Sequence, residues 1–306
     1  MLDPVELFPE IPNLYQFPSI HAGMLYDEER VAKYSAAINQ VIKKGDVVAD
    51  IGTGTGLLAF LCLKAGAKRV HAIERSSSID WAKRIADKNG LSDRIIFYKQ
   101  DSRDCDLPEK VNVVVSELIG HIAFEEGMAE SLVDARERFL VANGVMLPER
   151  VDLKVALVEE NGVYPECIEC WQDIEGFDYS LMREEAVKAC YLTSLSHRDL
   201  LSEPKTFFKA NFKEKCKFNL RASHSFNVCR TGKINGIALW FEASLSSNIT
   251  LSSGPWSQTH WQQCFAPIAA PMAANAGDLI SVSVEMSLRT KNHDSFKFDF
   301  SVKKGS

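Results

Sequence analysis

Between residues 47 and 148, short apolar runs rich in β-branched residues alternate with stretches that repeat apolar positions at helical spacing. The runs predict strands at 47–51, 69–73, 94–98, 111–115 and 144–147. The stretches predict helices near 56–65, 77–88 and 125–140, with Asn89-Gly90 as a helix stop. This alternation predicts a parallel sheet with helices on both faces, and ligands bound beyond the carboxyl ends of its strands. Ahead of it, Val31, Tyr34, Ile38 and Val41 recur at helical spacing and mark the buried face of a helix that Gly45 ends. Residues 1–19 are rich in Pro, Leu and Phe, lack periodicity and read as an irregular packed segment.

After Pro148 the texture changes. Residues 151–158 alternate as a half-exposed strand does, 160–200 are helical in flavour, and strand-like runs follow at 205–213, 215–220, 236–244, 247–251, 279–287 and 296–303. Turn residues such as Asn235-Gly236 punctuate these runs, which predicts an antiparallel sandwich or barrel. The division is therefore 1–148 as an N-terminal segment plus an α/β domain, and 149–306 as a β domain with 160–198 inserted. A chain of 306 residues is long for one core, in agreement with two domains.

Charge and cysteine usage narrow the function classes. A net charge of −6 argues against a protein built to grip nucleic acid, and suits a cationic substrate no better than it suits an ordinary globular surface. Met1–Glu6 has neither the basic region nor the apolar core of a leader, and no apolar run spans a membrane. The eight cysteines are scattered; Cys167-x-x-Cys170 has no second pair at zinc spacing, so reduced thiols, a cytoplasmic location and no metal site are expected. Lys205, Lys209, Lys213, Lys215 and Lys217 read as a solvated strand face.

The most informative stretch is Val47-Val-Ala-Asp-Ile-Gly-Thr-Gly-Thr-Gly56, followed by the apolar helix 57–63. Strand, glycine turn and helix form a nucleotide-binding arrangement, because glycine admits φ > 0 and brings a ligand onto bare backbone. The spacing is G-x-G-x-G, whereas a dinucleotide site has G-x-G-x-x-G, and Leu57 occupies that third place. Asp50 reaches a polar ligand at the strand end, and Glu74 after the next strand is placed for both hydroxyls of a ribose. Asp50, Gly52, Gly54, Gly56 and Glu74 resemble motif one and its acidic partner in class I methyltransferases that use S-adenosylmethionine. That resemblance places the glycines behind the methionine part and Glu74 on the ribose. Asp101, just past the third strand, or its neighbour Ser102 is placed for the adenine amino group.

Two further constellations stand apart. Glu117 ends the fourth strand, and Glu126 follows nine residues later after a glycine-containing loop. Facing carboxylates suit a guanidinium, whose planar donors pair bidentately with them; acids at a helix start are the competing reading of Glu125 and Glu126. Thr259-His260-Trp261 means little alone. Together, however, these segments resemble the double-glutamate and THW loops of the protein arginine N-methyltransferase family, from about Ile20 to the C-terminus. The resemblance implies an α/β Rossmann-like methyltransferase domain, then an antiparallel β-barrel-like domain interrupted by a helical dimerisation arm at 160–198, within which Gly176-Phe177-Asp178 also resembles the family. It implies S-adenosylmethionine as cofactor and a homodimer with the arm of one subunit on the Rossmann half of the other. By the same resemblance Arg30 pairs with the cofactor carboxylate, and Glu117 and Glu126 grip the substrate guanidinium. His260 pairs with Asp27 to receive a proton or to brace the N-terminal helix, Trp261 walls the arginine slot, and Met24 and Met128 flank the accepting nitrogen.

The chemistry is coherent. Arginine stays protonated, and the methyl donor is a cationic sulfonium. Each carboxylate at contact offsets their repulsion by about 4 kcal/mol at intermediate dielectric, and orienting one nitrogen supplies roughly 7–11 kcal/mol of barrier reduction. The acceptor is protein-bound arginine in the family's usual pattern, with free arginine or a small guanidino metabolite as the alternative. An inactive cofactor-binding scaffold and an amine or hydroxyl acceptor are the remaining readings. One departure bears on the substrate: the family's Tyr-Phe-x-x-Tyr motif is reduced here to Ile11-Pro-Asn-Leu-Tyr15, which keeps only the last tyrosine.

Overall fold

The computed structural model describes Tyr15, 17–214, 221–287 and 297–305; the predicted run 215–220 and residues 11–14 lie outside these. Two helices lead in, α1 (Pro18–Leu25) and α2 (Glu28–Val41). The first half then alternates β1 (Val47–Ile51), α3 (Leu57–Ala65), β2 (Arg69–Ile73), α4 (Ser78–Lys88), β3 (Ile95–Tyr98), β4 (Val111–Ser116), α5 (Met128–Arg138) and β5 (Leu140–Leu147). These strands form one sheet in the order β3-β2-β1-β4-β5, parallel at every pairing, as the alternation predicts. The order reverses between β1 and β4, so the crevice outside their carboxyl ends is the ligand position of an open α/β sheet.

α2 buries Arg30, Tyr34, Ala37 and Ile38. Tyr34 and Ile38 fall on the predicted face, whereas Val31 and Val41 are half-buried at its margins. The face is rotated toward Arg30, a charged residue that hydrophobic periodicity cannot mark as buried.

The second half is antiparallel. It comprises β6 (Arg150–Val158), the short hairpin β7 (Asp173–Ile174) and β8 (Phe177–Asp178), α6 (Ser180–Ala186), and β9 (Tyr191–Thr193). There follow β10 (Lys205–Asn211), β11 (Arg221–Asn227), β12 (Gly232–Ser246), β13 (Ile249–Ser252), β14 (Gln263–Ala274), β15 (Leu279–Ser287) and β16 (Lys297–Lys304). One sheet runs β10-β6-β12-β14-β9 with β13 added to β12, and a second runs β11-β15-β16. Their inward residues, among them Leu153, Phe241, Phe226 and Val282, share one apolar core with the parallel sheet.

Two expectations are corrected here. β6 is not half-exposed: Val151, Leu153, Val155 and Leu157 face the main core, while Ala156 and Val158 face a second cluster with Tyr164, Ile168, Trp240 and Phe265. The base of the inserted region covers what would otherwise be the solvent face, so alternation of side chains no longer means alternation of exposure. The insert itself is less helical than its composition suggests. It holds a single π-helical turn at Tyr164–Ile168, the β7–β8 hairpin and the short α6. Its tip carries Ile174, Phe177, Leu181 and Met182 in solvent, Phe177 at 68% and Leu181 at 69% exposure. No described helix is long and apolar enough to cross a membrane.

Candidate active site

The glycine turn leaves β1 at Asp50 and enters α3 at Leu57. Gly52, Gly54 and Gly56 all have positive φ, at 74°, 54° and 94°. Two of them are also closely packed: a Cβ on Gly52 would press on the Leu118 side chain and one on Gly56 on the Phe60 ring, so those side chains would have to move. Gly54 differs, since a Cβ there meets only His21 at 3.9 Å, so its backbone forms the open floor of the crevice. Asp50 is fully buried; its Oδ2 accepts from Thr53 Oγ1 at 2.6 Å, and its Oδ1 has no hydrogen-bond partner. Burial pushes the Asp50 carboxyl up to about 7. Glu74 accepts from the amides of Gly54 at 3.1 Å and Ser76 at 2.7 Å, which ties the end of β2 to the glycine turn.

Asp101 stands past β3 and is held by Arg103, which donates from Nε at 2.8 Å and from a terminal nitrogen at 2.7 Å. That hydrogen bonding lowers its pKa to about 2 despite partial burial. Ser102 is buried, and its carbonyl accepts from Arg138 of α5 at 2.7 Å. Residues able to hold an adenosyl sulfonium are thus gathered at one sheet end: an open glycine floor, a buried aspartate with an unused oxygen, and an acid at the end of β2. This set fits S-adenosylmethionine. Among the described residues no cluster of metal ligands occurs.

The acidic loop leaves β4 beside this turn. Glu117 Oε2 receives Arg30 Nε at 2.8 Å and a terminal Arg30 nitrogen at 2.6 Å, and Glu117 Oε1 accepts from the Ile119 amide at 3.0 Å. Burial acts to lower the Arg30 pKa, and Glu117 more than offsets it, so the guanidinium is held more firmly protonated. The resemblance gives these two residues to different ligands; in the structure they form one buried ion pair. Arg30 also donates to the Met24 carbonyl at 2.8 Å. At the far end of the loop, Glu126 Oε1 accepts from Tyr15 OH at 2.8 Å. Burial and then Glu126 raise the Tyr15 pKa, so the phenol remains a donor.

α5 starts at Met128, not near 125, because Gly127 sits in the left-handed region at φ 76°. Glu125 and Glu126 therefore belong to the loop and are not exposed first-turn residues of a helix. Glu126 is exposed, Glu125 is buried, and Met128 is fully buried at the start of α5. Met24 is half-buried in α1.

The barrel half grips this loop from outside. Asp27 caps α2 by accepting the Arg30 amide at 2.9 Å, and its other oxygen accepts from His260 twice, from the amide at 2.9 Å and from Nδ1 at 2.8 Å. Burial works against the charge on Asp27, yet these hydrogen bonds hold its carboxyl below the usual range, so His260 Nδ1 carries the proton it donates. Trp261 is 3% exposed; its Nε1 donates to the Ile119 carbonyl at 2.7 Å, while its own carbonyl accepts from His121 Nδ1 at 2.8 Å. The ring packs edge-on against Phe241 at 4.9 Å. Trp261 is thus a buried strut between barrel and acidic loop. The pairing of Tyr15 with Glu126, the burial of Glu125 and the contact of His121 with Trp261 do not follow from the sequence. A lone aromatic or acid in a chain carries no local mark of such distant partners.

Comparison with known proteins gives a consistent picture. Residues 149–305 match the arginine methyltransferase oligomerization subdomain, and residues 35–149 match the ribosomal protein L11 methyltransferase (PrmA) family. The chain is 30% identical over 296 residues to protein arginine N-methyltransferase 1 of Schizosaccharomyces pombe, covering 94% of this chain and 87% of that protein. It is 32% identical over 267 residues to protein arginine N-methyltransferase 6 of Xenopus laevis, covering 81% and 78%. Among solved structures, it superposes with a TM-score of 0.88 at 21% identity on a chain of the Trypanosoma brucei PRMT1 enzyme-prozyme heterotetrameric complex with AdoHcy, covering 95% of each chain. With Arabidopsis thaliana protein arginine methyltransferase 10 the TM-score is 0.81 at 24% identity, covering 95% and 94%. These two likenesses establish the shared fold.

Proposed function

The chain belongs to the protein arginine N-methyltransferase family, and from that premise we propose that it moves a methyl group from S-adenosylmethionine to a guanidino nitrogen of protein-bound arginine. The observation that carries this reading is the acidic loop: Glu117 already holds a guanidinium, that of Arg30, through two of its nitrogens. In this reading Glu126, exposed at the other end of the loop, supplies the second carboxylate to the substrate. When bound, the cofactor supplies an electrophilic methyl on a sulfonium.

The chain's own groups do the rest. Gly52, Gly54 and Gly56 present backbone, Asp50 and Glu74 take polar atoms of the cofactor, and Asp101 with Ser102 borders the adenine side. Arg30 lies between the cofactor crevice and the acidic pair and takes the cofactor carboxylate while keeping Glu117 in place. Glu117 and Glu126 hold the guanidinium and offset the charge of the sulfonium facing it. Asp27 and His260 brace α2 against the barrel, so a proton leaving the product nitrogen passes first to a carboxylate of the pair. Met24 and Met128 bound the acceptor space, and Trp261 fixes the loop from behind.

The domain division at 148/149 and the role of the insert belong to the same reading. Four large apolar side chains in solvent at the insert tip support a dimerisation arm that docks on the Rossmann half of a second copy. The discriminating experiment offers labelled S-adenosylmethionine to three acceptors in parallel: an arginine-glycine peptide, the same peptide with lysine for arginine, and free arginine. Label on the first peptide alone is expected. Label on free arginine alone moves the acceptor to a metabolite, and label on the lysine peptide overturns the guanidinium assignment.

A further inference from the structure

The acidic loop contains a third carboxyl that the reaction above does not use. Glu125 is buried, and its Oε1 accepts from the Ile122 amide at 3.0 Å, while Oε2 has no hydrogen-bond partner. Its carboxyl lies directly on the backbone of Gly120: a Cβ there would sit 2.1 Å from Glu125 Cδ and 2.2 Å from Oε1. The absence of a side chain at 120 and the presence of a carboxyl at 125 are therefore one packing solution. Around it the chain is unusually tight. The Ala123 amide donates to the Gly120 carbonyl at 3.1 Å, the Phe124 amide to the Ile122 carbonyl at 3.0 Å, and Ala123 holds φ at 77°, a region that non-glycine residues rarely occupy. Nothing but this turn separates Glu117 from Glu126.

The titratable groups close to the Glu125 carboxyl are Glu126 of the loop, Cys264 of β14 and Tyr15 of the N-terminal segment, with the His121 backbone beside it. None of these is a cation, and the His121 ring is turned to the Trp261 carbonyl and held toward its neutral form by burial. Glu126 adds a like charge. An ionised Glu125 would thus be a buried, half-satisfied carboxylate beside another, and hydrating it requires the turn to open. Burial accordingly pushes the carboxyl up to about 7, although the Ile122 amide pulls the other way.

We propose that Glu125 is a positioning residue of the acidic loop: its neutral carboxyl closes the turn that presents Glu117 and Glu126 together, and loss of its proton loosens that turn. The link to catalysis rests on the methyltransfer reading; the structural claim does not. Two measurements test it. In the first, kcat and KM of wild type and Glu125→Gln are followed from pH 6 to 8.5 with an arginine-glycine peptide. Glutamine keeps the acceptor for Ile122 and cannot ionise. The ratio of kcat for the variant to kcat for wild type is expected to rise by about threefold or more across pH 7, with KM for the cofactor unchanged. A flat ratio overturns the proposal. In the second, amide exchange of residues 119–127 in wild type is compared at pH 6 and 8 after correction for the intrinsic rate. Protection at Ile122 and Ala123 is expected to fall at the higher pH, and equal protection overturns the proposal whether or not any guanidine is methylated and whether or not the variant folds.

Discussion

The glycine turn and the acidic loop lie side by side at the same sheet end, yet they are held in opposite ways. The turn at 52–56 is fixed mainly by its immediate neighbours, by positive φ at three glycines, by packing on Phe60 and by Glu74 on the Gly54 amide, and it touches the loop only through Leu118. The loop at 117–126 closes its own turn through the Ile119, Ile122 and Ala123 amides, but its two ends and its outer side are tied from elsewhere. Those outside ties run to Arg30 in α2, to Tyr15 in the N-terminal segment and to Trp261, 140 positions along the chain from its partner His121. On the proposed reading the cofactor site is built mainly at the end of the parallel sheet, with Arg30 of α2 added, whereas the acceptor site also draws on the N-terminal segment and the barrel. On that reading, changes at Tyr15 or Trp261 act on the acceptor side and leave the glycine turn in place.

Breaking the acidic loop's inner tie has the largest expected effect. In Glu117→Gln the buried Arg30 loses its counter-charge, which costs about 3 kcal/mol in urea unfolding, since removing one partner of a buried pair strands the other. The same variant loses methyl transfer by about 10²–10³-fold, the scale for a single electrostatic contact to the reacting group. Retained stability together with retained activity would refute both the ion pair and the assignment. Trp261→Phe probes the outer tie. It keeps the ring against Phe241 but strands the Ile119 carbonyl, at a cost of about 2 kcal/mol. Methyl transfer is expected to fall while affinity for the cofactor product analogue stays within about twofold, because no hydrogen bond runs from Trp261 to the glycine turn.

These contrasts explain what was legible in the chain. The parallel sheet came from a period written in adjacent residues, and the glycine turn from five consecutive positions with a strand before and a helix after. Glu117 and Glu126 stood out only as a spacing, equally consistent with a helix start; Gly127 in the left-handed region decides against that start, and its sequence context does not announce it. The double face of β6 and the buried strut role of Trp261 depend on elements far along the chain. Burial of Arg30, Asp50 and Glu125 is invisible to hydrophobic pattern, since charged residues are read as surface until a partner is seen.

The gentlest probe is a slope with pH, and it belongs to the glycine turn. Asp50 has a folded pKa raised to about 7 by burial, whereas an unfolded aspartate titrates near 3.9. The folded chain keeps a proton that the unfolded chain has lost. The contribution of this group is full below about pH 4 and is lost as pH rises through about 7. Without cofactor, the stability of wild type relative to Asp50→Asn is therefore expected to decline between pH 4 and 7.5 in urea melts. A constant difference would show that Asp50 is ionised throughout.

In the proposed reaction Glu126, exposed at the loop's end and bonded to Tyr15, completes a guanidinium clamp that is separate from the cofactor turn. It is tested most directly by measuring, on one preparation of Glu126→Gln, calorimetric binding of S-adenosylhomocysteine and labelled methyl transfer to an arginine-glycine peptide. Binding unchanged with transfer reduced by about 10²-fold or more is the predicted result. Transfer at the wild-type rate would contradict the clamp, and loss of binding together with transfer would contradict its separation from the cofactor turn.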